Sequence, residues 1–327
     1  MIKVGFIGFG KFSQVRLRYL EKNPAVTFSG FFDPHLGDQN HGSILRYDCH
    51  EKLIQASDAL IISVPPKLAP AYVVSALAQD KYVFCEKPAA TSAHDLGAVG
   101  EVLSDSHMLA YGFNHRQHPS VRKMREVVQS AELGKILWMR GRYGKEVDDA
   151  YKSTWRCDPH LNGGGILIDQ GIHLVDLMGY LAGGFDGAQA VLSSNYLNID
   201  GVDDNGFVTL YSTSSKIAAS LHSTVTQWRY LFSLEVFLER GAMVLNGLRT
   251  NSGNYGDEVL TIKPNIAYEP HLGVTEIRYP TNVSWESEVN AFIQSIIDGS
   301  AYPHAGYKDA METTRLMDLI YEKAIWL

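Results

Sequence analysis

Short apolar runs alternate with segments of helical periodicity over the first third of the chain. The apolar runs are IKVGFIG, AVTFSGFF, ILRY, DALIISVPP, YVFCEKP and MLAYGF, and the segments between them include KFSQVRLRYLEKN, CHEKLIQAS and KLAPAYVVSALAQD. Continuous apolar strands that alternate with helices are typical of a parallel sheet covered on both faces. The pattern therefore predicts an N-terminal doubly wound (Rossmann) α/β domain over residues 1–117.

The pattern changes after His118-Pro119. A helix (VRKMREVVQSAE) and a strand (KILWMRGRYG) come first, and residues 186–280 then carry repeated β-type runs such as GFVTLYS and LFSLEVFLE. Glu239-Arg240-Gly241 and Asn246-Gly247 are typical turn sequences between such runs. Helical patterns near 285–298 and 306–324 close the chain. Residues 118–327 are predicted to form an α+β domain with a large, mostly antiparallel or mixed open sheet.

Helices that cover one face of so broad a sheet would leave an apolar patch on the other face, which is uncommon on monomers. This second domain is therefore expected to carry both substrate binding and self-association, as a homodimer or homotetramer.

Size and composition narrow the class of protein. A chain of 327 residues exceeds what one core usually supports, which favours two domains. A net charge of -7 and the lack of a dense Lys/Arg run argue against a nucleic-acid partner. Three scattered cysteines fit a reducing compartment. Since neither a secretory signal nor an apolar run of about 20 residues is found, we expect a cytoplasmic protein without a membrane partner.

A glycine motif joins the first predicted strand to the first helix. Gly8-Phe9-Gly10-Lys11-Phe12-Ser13 fits G-x-G-x-x-G except at Ser13, whose small size still permits close packing of helix and strand. Gly8 allows a tight turn, and Gly10 lets a pyrophosphate approach the amide groups of Lys11, Phe12 and Ser13 at the helix N-terminus. A simple strand-to-helix turn is the alternative.

Asp33 follows the second strand, 25 residues after Gly8. An acidic side chain there can accept hydrogen bonds from the ribose hydroxyls of adenosine. Because the sequence continues Pro34-His35 without an arginine, a 2'-phosphate would be repelled, and we expect NAD in preference to NADP. An Asp that only caps a turn is the alternative.

Two later strands end at the carboxyl edge of the predicted sheet, where ligands bind in such folds. Ser63-Val64-Pro65 ends one of them and is expected to line the cofactor. Glu86-Lys87 ends the next, and Pro88 biases Lys87 toward an extended conformation. Lys87 is thereby expected to point toward the nicotinamide.

The segment GGGILIDQGIHLVD, residues 163–176, carries polar groups at helical spacing. If the chain is helical from about Ile166, then Asp169, His173 and Asp176 share one face. A solvated helix face would show the same spacing.

Taken together, GFGKFS, CEKPAA and GGGILIDQGIHLVD, preceded by Trp155-Arg156, resemble the Gfo/Idh/MocA oxidoreductases over essentially the whole chain. The resemblance implies an NAD(P)-dependent dehydrogenase that acts on the CH–OH group of a sugar, cyclitol or nucleotide sugar. Lys87, Asp169 and His173 match the catalytic positions of the family. The resemblance also assigns Glu86, Trp155 and Arg156 to the surroundings of the cofactor.

The chemistry of alcohol oxidation suits these residues. His173 is the natural base for the hydroxyl proton, and Lys87 can stabilise the developing alkoxide. Asp169 either binds a neighbouring hydroxyl or orients the imidazole. Asp176 either contacts the substrate or adds polarity to the helix. A metal site is not expected, because hydride transfer to NAD needs none. His115 and His118 are expected to form hydrogen bonds between the domains.

Two other functions remain possible on the same fold. One is a regulator that binds NAD without catalysis, since a fold alone does not fix a function. The other is an oxidoreductase that works between two sugars and keeps its nucleotide bound.

Overall fold

A computed structural model of the chain describes residues 1–36, 44–105, 108–250, 255–265 and 272–327. The chain divides into two compact units. The first comprises Met1–Asn114 and Trp285–Thr314, and the second comprises His115–Ser284 and Arg315–Leu327.

The strands and helices follow one another along the chain with these bounds. The strands are β1 (Ile2–Ile7), β2 (Val26–Phe32), β3 (Ala59–Ile62), β4 (Tyr82–Glu86), β5 (Leu109–Gly112), β6 (Ile136–Gly144), β7 (Gly187–Ser193), β8 (Asn205–Ser212), β9 (Ile217–Thr224), β10 (Leu231–Leu238), β11 (Gly241–Asn246), β12 (Glu258–Pro264), β13 (Thr275–Tyr279) and β14 (Ala324–Trp326). The α-helices are α1 (Lys11–Leu20), α2 (His50–Ala56), α3 (Ala69–Leu77), α4 (Ala93–Val102), α5 (Pro119–Ser130), α6 (Pro159–Asn162), α7 (Ile172–Ala182), α8 (Ser284–Asp298) and α9 (Tyr307–Glu322).

The first unit contains a five-stranded sheet of order β2-β1-β3-β4-β5, in which every neighbouring pair is parallel. The predicted parallel α/β domain is confirmed. The strand order reverses between β1 and β3, which is the point where open α/β sheets bind ligands. The run ILRY is not a full strand, because only Arg46 pairs there, in an isolated bridge with Phe31.

The core of the first unit also includes residues from near the C-terminus. Val289, Phe292 and Ile293 of α8 are buried in one hydrophobic cluster with residues of the sheet such as Phe6 and Phe84. This arrangement differs from the predicted range 118–327 for the second domain. The reason is that α8 buries its apolar stripe in the first core rather than in the second.

The second unit contains a nine-stranded sheet of order β13-β12-β11-β10-β6-β9-β8-β7-β14. The pairs β6/β9 and β7/β14 are parallel, and the remaining pairs are antiparallel. The predicted mixed sheet is confirmed. Glu239 and Arg240 form the two-residue turn between β10 and β11, and Gly247 adopts a φ of 72° directly after β11.

The central strands of this sheet alternate between buried and exposed residues, as period-2 side chains require. On the buried face, Gly141 of β6 leaves room for Leu174 and Met178 of α7. On the other face, Trp138 of β6 and Phe207 of β8 are 41% and 54% exposed. One face of the sheet is therefore covered by a helix, and the other presents aromatic side chains to solvent.

Among the helices in the described ranges of the chain, we found none that is both long and apolar enough to cross a membrane. Within the same ranges, histidine, cysteine and acidic side chains form no cluster of three or more that could hold a metal ion.

Candidate active site

The first unit contains a candidate cofactor site at the turn between β1 and α1. Gly8 has a φ of 78°, and a Cβ atom on it would overlap the carbonyl group of Ser63, so this position requires glycine. Gly10 is different, because its φ of -75° suits any residue and a Cβ atom would meet no protein atom within 4 Å. Open space above Gly10 is what the close approach of a ligand to the backbone needs.

The helix that follows the turn has Gly10 at its N-cap, so the N-cap residue provides no side-chain oxygen for the first amide groups. Ser13 explains the departure from the glycine motif, because its hydroxyl donates a 2.6 Å hydrogen bond to the Gly8 carbonyl. The side chain of Phe12 stacks on Trp285 with 5.6 Å between ring centroids. Lys11 is exposed at the start of the helix. The backbone geometry thus fits a pyrophosphate at the N-terminus of α1.

Asp33 lies beside this turn, directly after β2. Its Oδ2 accepts a 2.8 Å hydrogen bond from the Phe9 amide, and its Oδ1 accepts a 2.9 Å bond from the His35 amide. Asp33 therefore does cap a turn, but each carboxylate oxygen keeps a further lone pair for a ribose hydroxyl. Burial, and then the charges of Asp33 and Glu51, raise the pKa of the nearby Tyr72.

The segment after β3 forms the other wall of the turn. The Ser63 amide donates a 2.8 Å hydrogen bond to the Ile7 carbonyl, and the Leu68 amide donates a 2.9 Å hydrogen bond to the Pro65 carbonyl. Val64 lies against Gly8. The Ser63 hydroxyl is buried and has no hydrogen-bond partner in the described part of the chain. A buried polar atom of this kind fits a site that a polar cofactor completes.

Glu86, which was assigned to the surroundings of the cofactor, forms an ion pair at the end of β4. Its carboxylate pairs with the buried guanidinium of Arg16 at 2.5 Å, and the same guanidinium pairs with Glu288 at 2.8 Å. The Arg16 side chain also lies over the ring of Phe84. These contacts fix the end of β4, from which Lys87 continues through a cis peptide bond to Pro88.

A separate group of candidate residues lies in the second unit, where three glycines lead into α7. Gly163 and Gly164 have positive φ values of 81° and 155°. The segment Leu167–Gly171 is a π-helical turn, and α7 continues from Ile172. Such turns often occur at functional sites. Asp169 lies within the π-helical turn, and His173 lies in the first turn of α7.

Two cations face the carboxylate of Asp169. Its Oδ2 lies 3.5 Å from Lys145 Nζ, and its Oδ1 lies 3.3 Å from Arg156 Nε. Burial lowers the pKa of Lys145, Asp169 acts against that shift, and Arg156 adds to it. The Arg156 guanidinium also stacks over the ring of Trp155 at 4.3 Å. Lys145 is a candidate site residue that the sequence did not single out.

His173 is buried against a second histidine. The imidazole rings of His173 and His115 are stacked with 3.7 Å between centroids and 16° between planes. His115 Nε2 lies 3.1 Å from the Tyr143 hydroxyl. Burial raises the pKa of Tyr143 well above its usual value, so this side chain stays a neutral phenol. The stacking and the hydrogen bond together hold the ring plane of His173.

Asp176, expected either to contact the substrate or to add polarity to the helix, is paired with an arginine. Its carboxylate forms a buried bidentate pair with Arg116, with Nε to Oδ2 at 3.0 Å and Nη2 to Oδ1 at 2.6 Å. The Arg116 guanidinium also lies 4.7 Å from the Tyr180 ring centroid. A fully buried carboxylate that is already paired in this way stabilises α7 and leaves little surface for a ligand.

His115 and His118 both form hydrogen bonds inside the second unit, although contacts between domains were expected from the sequence. His118 Nδ1 lies 2.9 Å from Glu258 Oε2, and Ser120 donates a 2.6 Å hydrogen bond to the other oxygen of Glu258. His118 is therefore a structural residue at the start of α5, whereas His115 belongs to the cluster around His173.

The fold of the first unit and the glycine turn define a dinucleotide-binding Rossmann domain. Comparison with known proteins agrees with this class. Residues 2–113 match a family model described as an oxidoreductase family with an NAD-binding Rossmann fold, and residues 121–244 match the Gfo/Idh/MocA C-terminal domain. The chain belongs to the Gfo/Idh/MocA family of NAD(P)-binding oxidoreductases.

Individual relatives include sugar dehydrogenases. Levoglucosan dehydrogenase of Pseudarthrobacter phenanthrenivorans is 31% identical over 41% of this chain and 35% of its own length, so the match spans well under two thirds of that relative. An NADP-dependent D-xylose 1-dehydrogenase of Haloferax volcanii is 26% identical over 85% of this chain and 82% of its own. A solved levoglucosan dehydrogenase, in complex with NADH and levoglucosan, has a TM-score of 0.86 at 19% identity and covers 98% of this chain and 96% of its own.

Proposed function

We propose that the protein is an oxidoreductase that transfers a hydride between a carbinol of a sugar, cyclitol or nucleotide sugar and the nicotinamide of NAD. The observation that carries the proposal is the buried cluster of the second unit. In that cluster a stacked imidazole, His173, follows four residues after a carboxylate, Asp169, that is held by Lys145 and Arg156. A base and a polar anchor for hydroxyl groups are the side chains that alcohol oxidation requires.

Each residue has a distinct role in this reaction. NAD, when bound, accepts the hydride. His173 takes the hydroxyl proton, and Lys87 donates a hydrogen bond to the same oxygen as its negative charge grows. Asp169, which lies beside the cations of Lys145 and Arg156, accepts a hydrogen bond from a neighbouring hydroxyl of the substrate. Asp176 and Glu86 take no part, because each is committed to an arginine.

The proposal is tested by incubating the purified protein with NAD or NADP and a panel of sugars, cyclitols and nucleotide sugars. We expect one class of substrate to produce NADH. The Lys87→Met variant, assayed with the same substrates, distinguishes this activity from that of a contaminating enzyme. A protein that binds NAD tightly but reduces it with no member of the panel would instead be the NAD-binding regulator.

The environment of Asp33 leads to a prediction about cofactor choice. We expect the dissociation constant of NADPH to exceed that of NADH by at least about tenfold, which corresponds to roughly 1.4 kcal/mol. Asp33→Asn keeps an oxygen for one backbone amide but removes the negative charge, so the ratio should fall toward one. Fluorescence titration of both nucleotides measures it. Equal affinities in the wild-type protein would contradict the preference for NAD.

The exposed face of the nine-stranded sheet supports a second proposal, that the protein is a homodimer or homotetramer. Trp138 stacks on Phe237, and Phe207 stacks on His222, with centroids 3.9 and 4.1 Å apart. These aromatic pairs and Tyr211 place large apolar side chains on the exposed face of the sheet, and isologous interfaces commonly bury such side chains.

We therefore expect Phe207→Glu to convert the oligomer to a monomer, because it would bury two carboxylates at a symmetric interface. Light scattering at micromolar concentration measures the mass. Leu45→Glu is the matched control, since Leu45 is 59% exposed in the first unit. A wild-type protein that is already monomeric would rule out the interface.

A further inference from the structure

Asp203 lies two residues before β8, and its carboxylate is completely buried. That carboxylate accepts three hydrogen bonds within the second unit. Oδ1 accepts from the Gly165 amide at 2.8 Å and from the Tyr321 hydroxyl at 2.7 Å, and Oδ2 accepts from the Leu167 amide at 2.8 Å. In addition, the Asp203 carbonyl accepts from the Ile166 amide at 2.8 Å. Three consecutive residues at the start of the π-helical turn are thus bonded to one aspartate.

A glycine-rich segment such as this one needs contacts that hold it in one conformation. Glycine loses more conformational freedom on folding than any other residue, and three occur here in succession. Gly164 adopts a φ of 155°, and a Cβ atom on Gly165 would overlap the Asp203 carbonyl. Asn162 binds the carbonyl groups of Gly164 and Gly165, whereas Asp203 supplies acceptors for the amide groups.

The fixed segment leads directly to a proposed catalytic residue. The Gly165 carbonyl accepts a 3.1 Å hydrogen bond from the Asp169 amide. The path from Asp203 to Asp169 therefore consists of two hydrogen bonds that share one residue, Gly165. His173 follows one turn later, so a displacement of the Gly165–Leu167 segment would move both side chains.

Burying a carboxylate costs desolvation free energy, which the hydrogen bonds that it accepts must offset. Burial raises the pKa of Asp203, and its hydrogen bonds to Tyr321, Leu167 and Gly165 act in the opposite direction. Desolvation of the carboxylate is unfavourable, so we do not attribute to Asp203 a large gain in stability. Its contribution is to fix the positions of the Gly165 and Leu167 amide groups.

We propose that Asp203 is a positioning residue, which holds the Gly165–Leu167 segment so that Asp169 and His173 are presented in reactive geometry. This inference rests on the proposed function for the roles of those two residues. Misplacement of reacting groups by about 1 Å can lower a rate by about 10²-fold.

The test compares Asp203→Asn with Asp204→Asn. The first variant turns an NH₂ group toward one of the two backbone amides, so that a donor faces a donor. Asp204 is equally buried and also accepts two backbone amides, those of Tyr196 and Leu197, but these belong to a different loop. We expect Asp203→Asn to lower kcat by about 10- to 100-fold, with little change in the affinity for NADH. We expect Asp204→Asn to lower thermal stability to a similar degree without lowering kcat.

Hydrogen exchange supplies a measurement that does not depend on activity. The amides of Gly165 and Leu167 should exchange faster in Asp203→Asn than in the wild-type protein, but not in Asp204→Asn. Should Asp203→Asn fail to fold, Tyr321→Phe replaces it, because this variant removes one of the three donors and keeps the carboxylate. It should show a severalfold loss of kcat and faster exchange of Gly165.

The failures of the two proposals are distinguishable. If Asp203→Asn keeps the wild-type kcat while His173→Ala loses activity, Asp203 has no positioning role and the proposed function stands. If both aspartate variants lose kcat in proportion to their loss of stability, the role of Asp203 is merely structural. If His173→Ala is fully active, the proposed function itself is wrong, and hydrogen exchange alone then decides whether Asp203 holds the segment.

Discussion

Replacing His173 by alanine is expected to lower kcat by about 10²- to 10⁴-fold, which is the usual loss when a general base is removed. The affinity for NADH should change little. The residues proposed to hold the nucleotide lie at the turn between β1 and α1 and after β2, and His173 belongs to neither segment. The loss should therefore be found in turnover, not in cofactor binding.

The pH dependence of kcat/KM provides the more specific measurement. An imidazole base must be neutral to accept a proton, so the wild-type rate should fall as the pH decreases. His173→Ala should flatten this acidic limb. His94→Ala serves as the control, because His94 is an exposed histidine on α4 and should leave both rate and profile unchanged. A His173→Ala variant with the wild-type rate would exclude the histidine as base.

Much of the fold could be predicted from local patterns, because continuous apolar strands and alternating strands differ in period. The sequence-based predictions of strands were wrong where the pairing of a strand depends on residues far away in the chain. The run ILRY has the composition of a strand, but only Arg46 finds a partner in β2. The final strand β14 pairs with β7, more than one hundred residues earlier, and its sequence continues the helical pattern that precedes it. Neither outcome is encoded in the segment itself.

The placement of α8 shows the same limitation at the level of domains. Its apolar stripe predicts that one face is buried, but the stripe does not identify the core that buries it. Val289 and Phe292 pack in the first unit, although more than 150 residues of the second unit separate them from β5 in sequence. A change in the sequence pattern marks where the first unit ends, but it does not show that a later segment, Trp285–Thr314, packs in that unit again.

The candidate site was predicted in part. Spacing alone treats Asp169, His173 and Asp176 as equivalent members of one helix face. The π-helical turn at Leu167–Gly171 changes the phase of the helix, and only Asp176 of the three pairs with Arg116 in a bidentate ion pair. Lys145 was missed because it directly follows β6 and lies in no recognisable motif. Its contact with Asp169, 24 residues later, is formed only in the folded chain. His115 was noted, but its stacking on His173 follows only from the tertiary structure.

Lys87→Ala is expected to lower kcat by about 10²- to 10³-fold, because it removes a donor that stabilises the developing negative charge on the substrate oxygen. Arg16, Glu86 and Glu288 form a buried ion-pair network at the end of β4, and none of these side chains is altered by the substitution. The strand end should therefore keep its conformation. Lys81→Ala is the matched control, since Lys81 immediately precedes the same strand at its opposite end.

The pH profile separates the role of Lys87 from that of His173. If Lys87 only stabilises the oxygen, Lys87→Ala should be slow at every pH and should keep the acidic limb that His173→Ala loses. A Lys87→Ala variant without that limb would instead identify the lysine as the base, which an amine with a lowered pKa can be. A variant that retains kcat but binds NADH weakly would make Lys87 a ligand of the cofactor and remove it from the chemical step. Measurements of kcat, the affinity for NADH and the pH profile on this one variant therefore distinguish the three roles of Lys87.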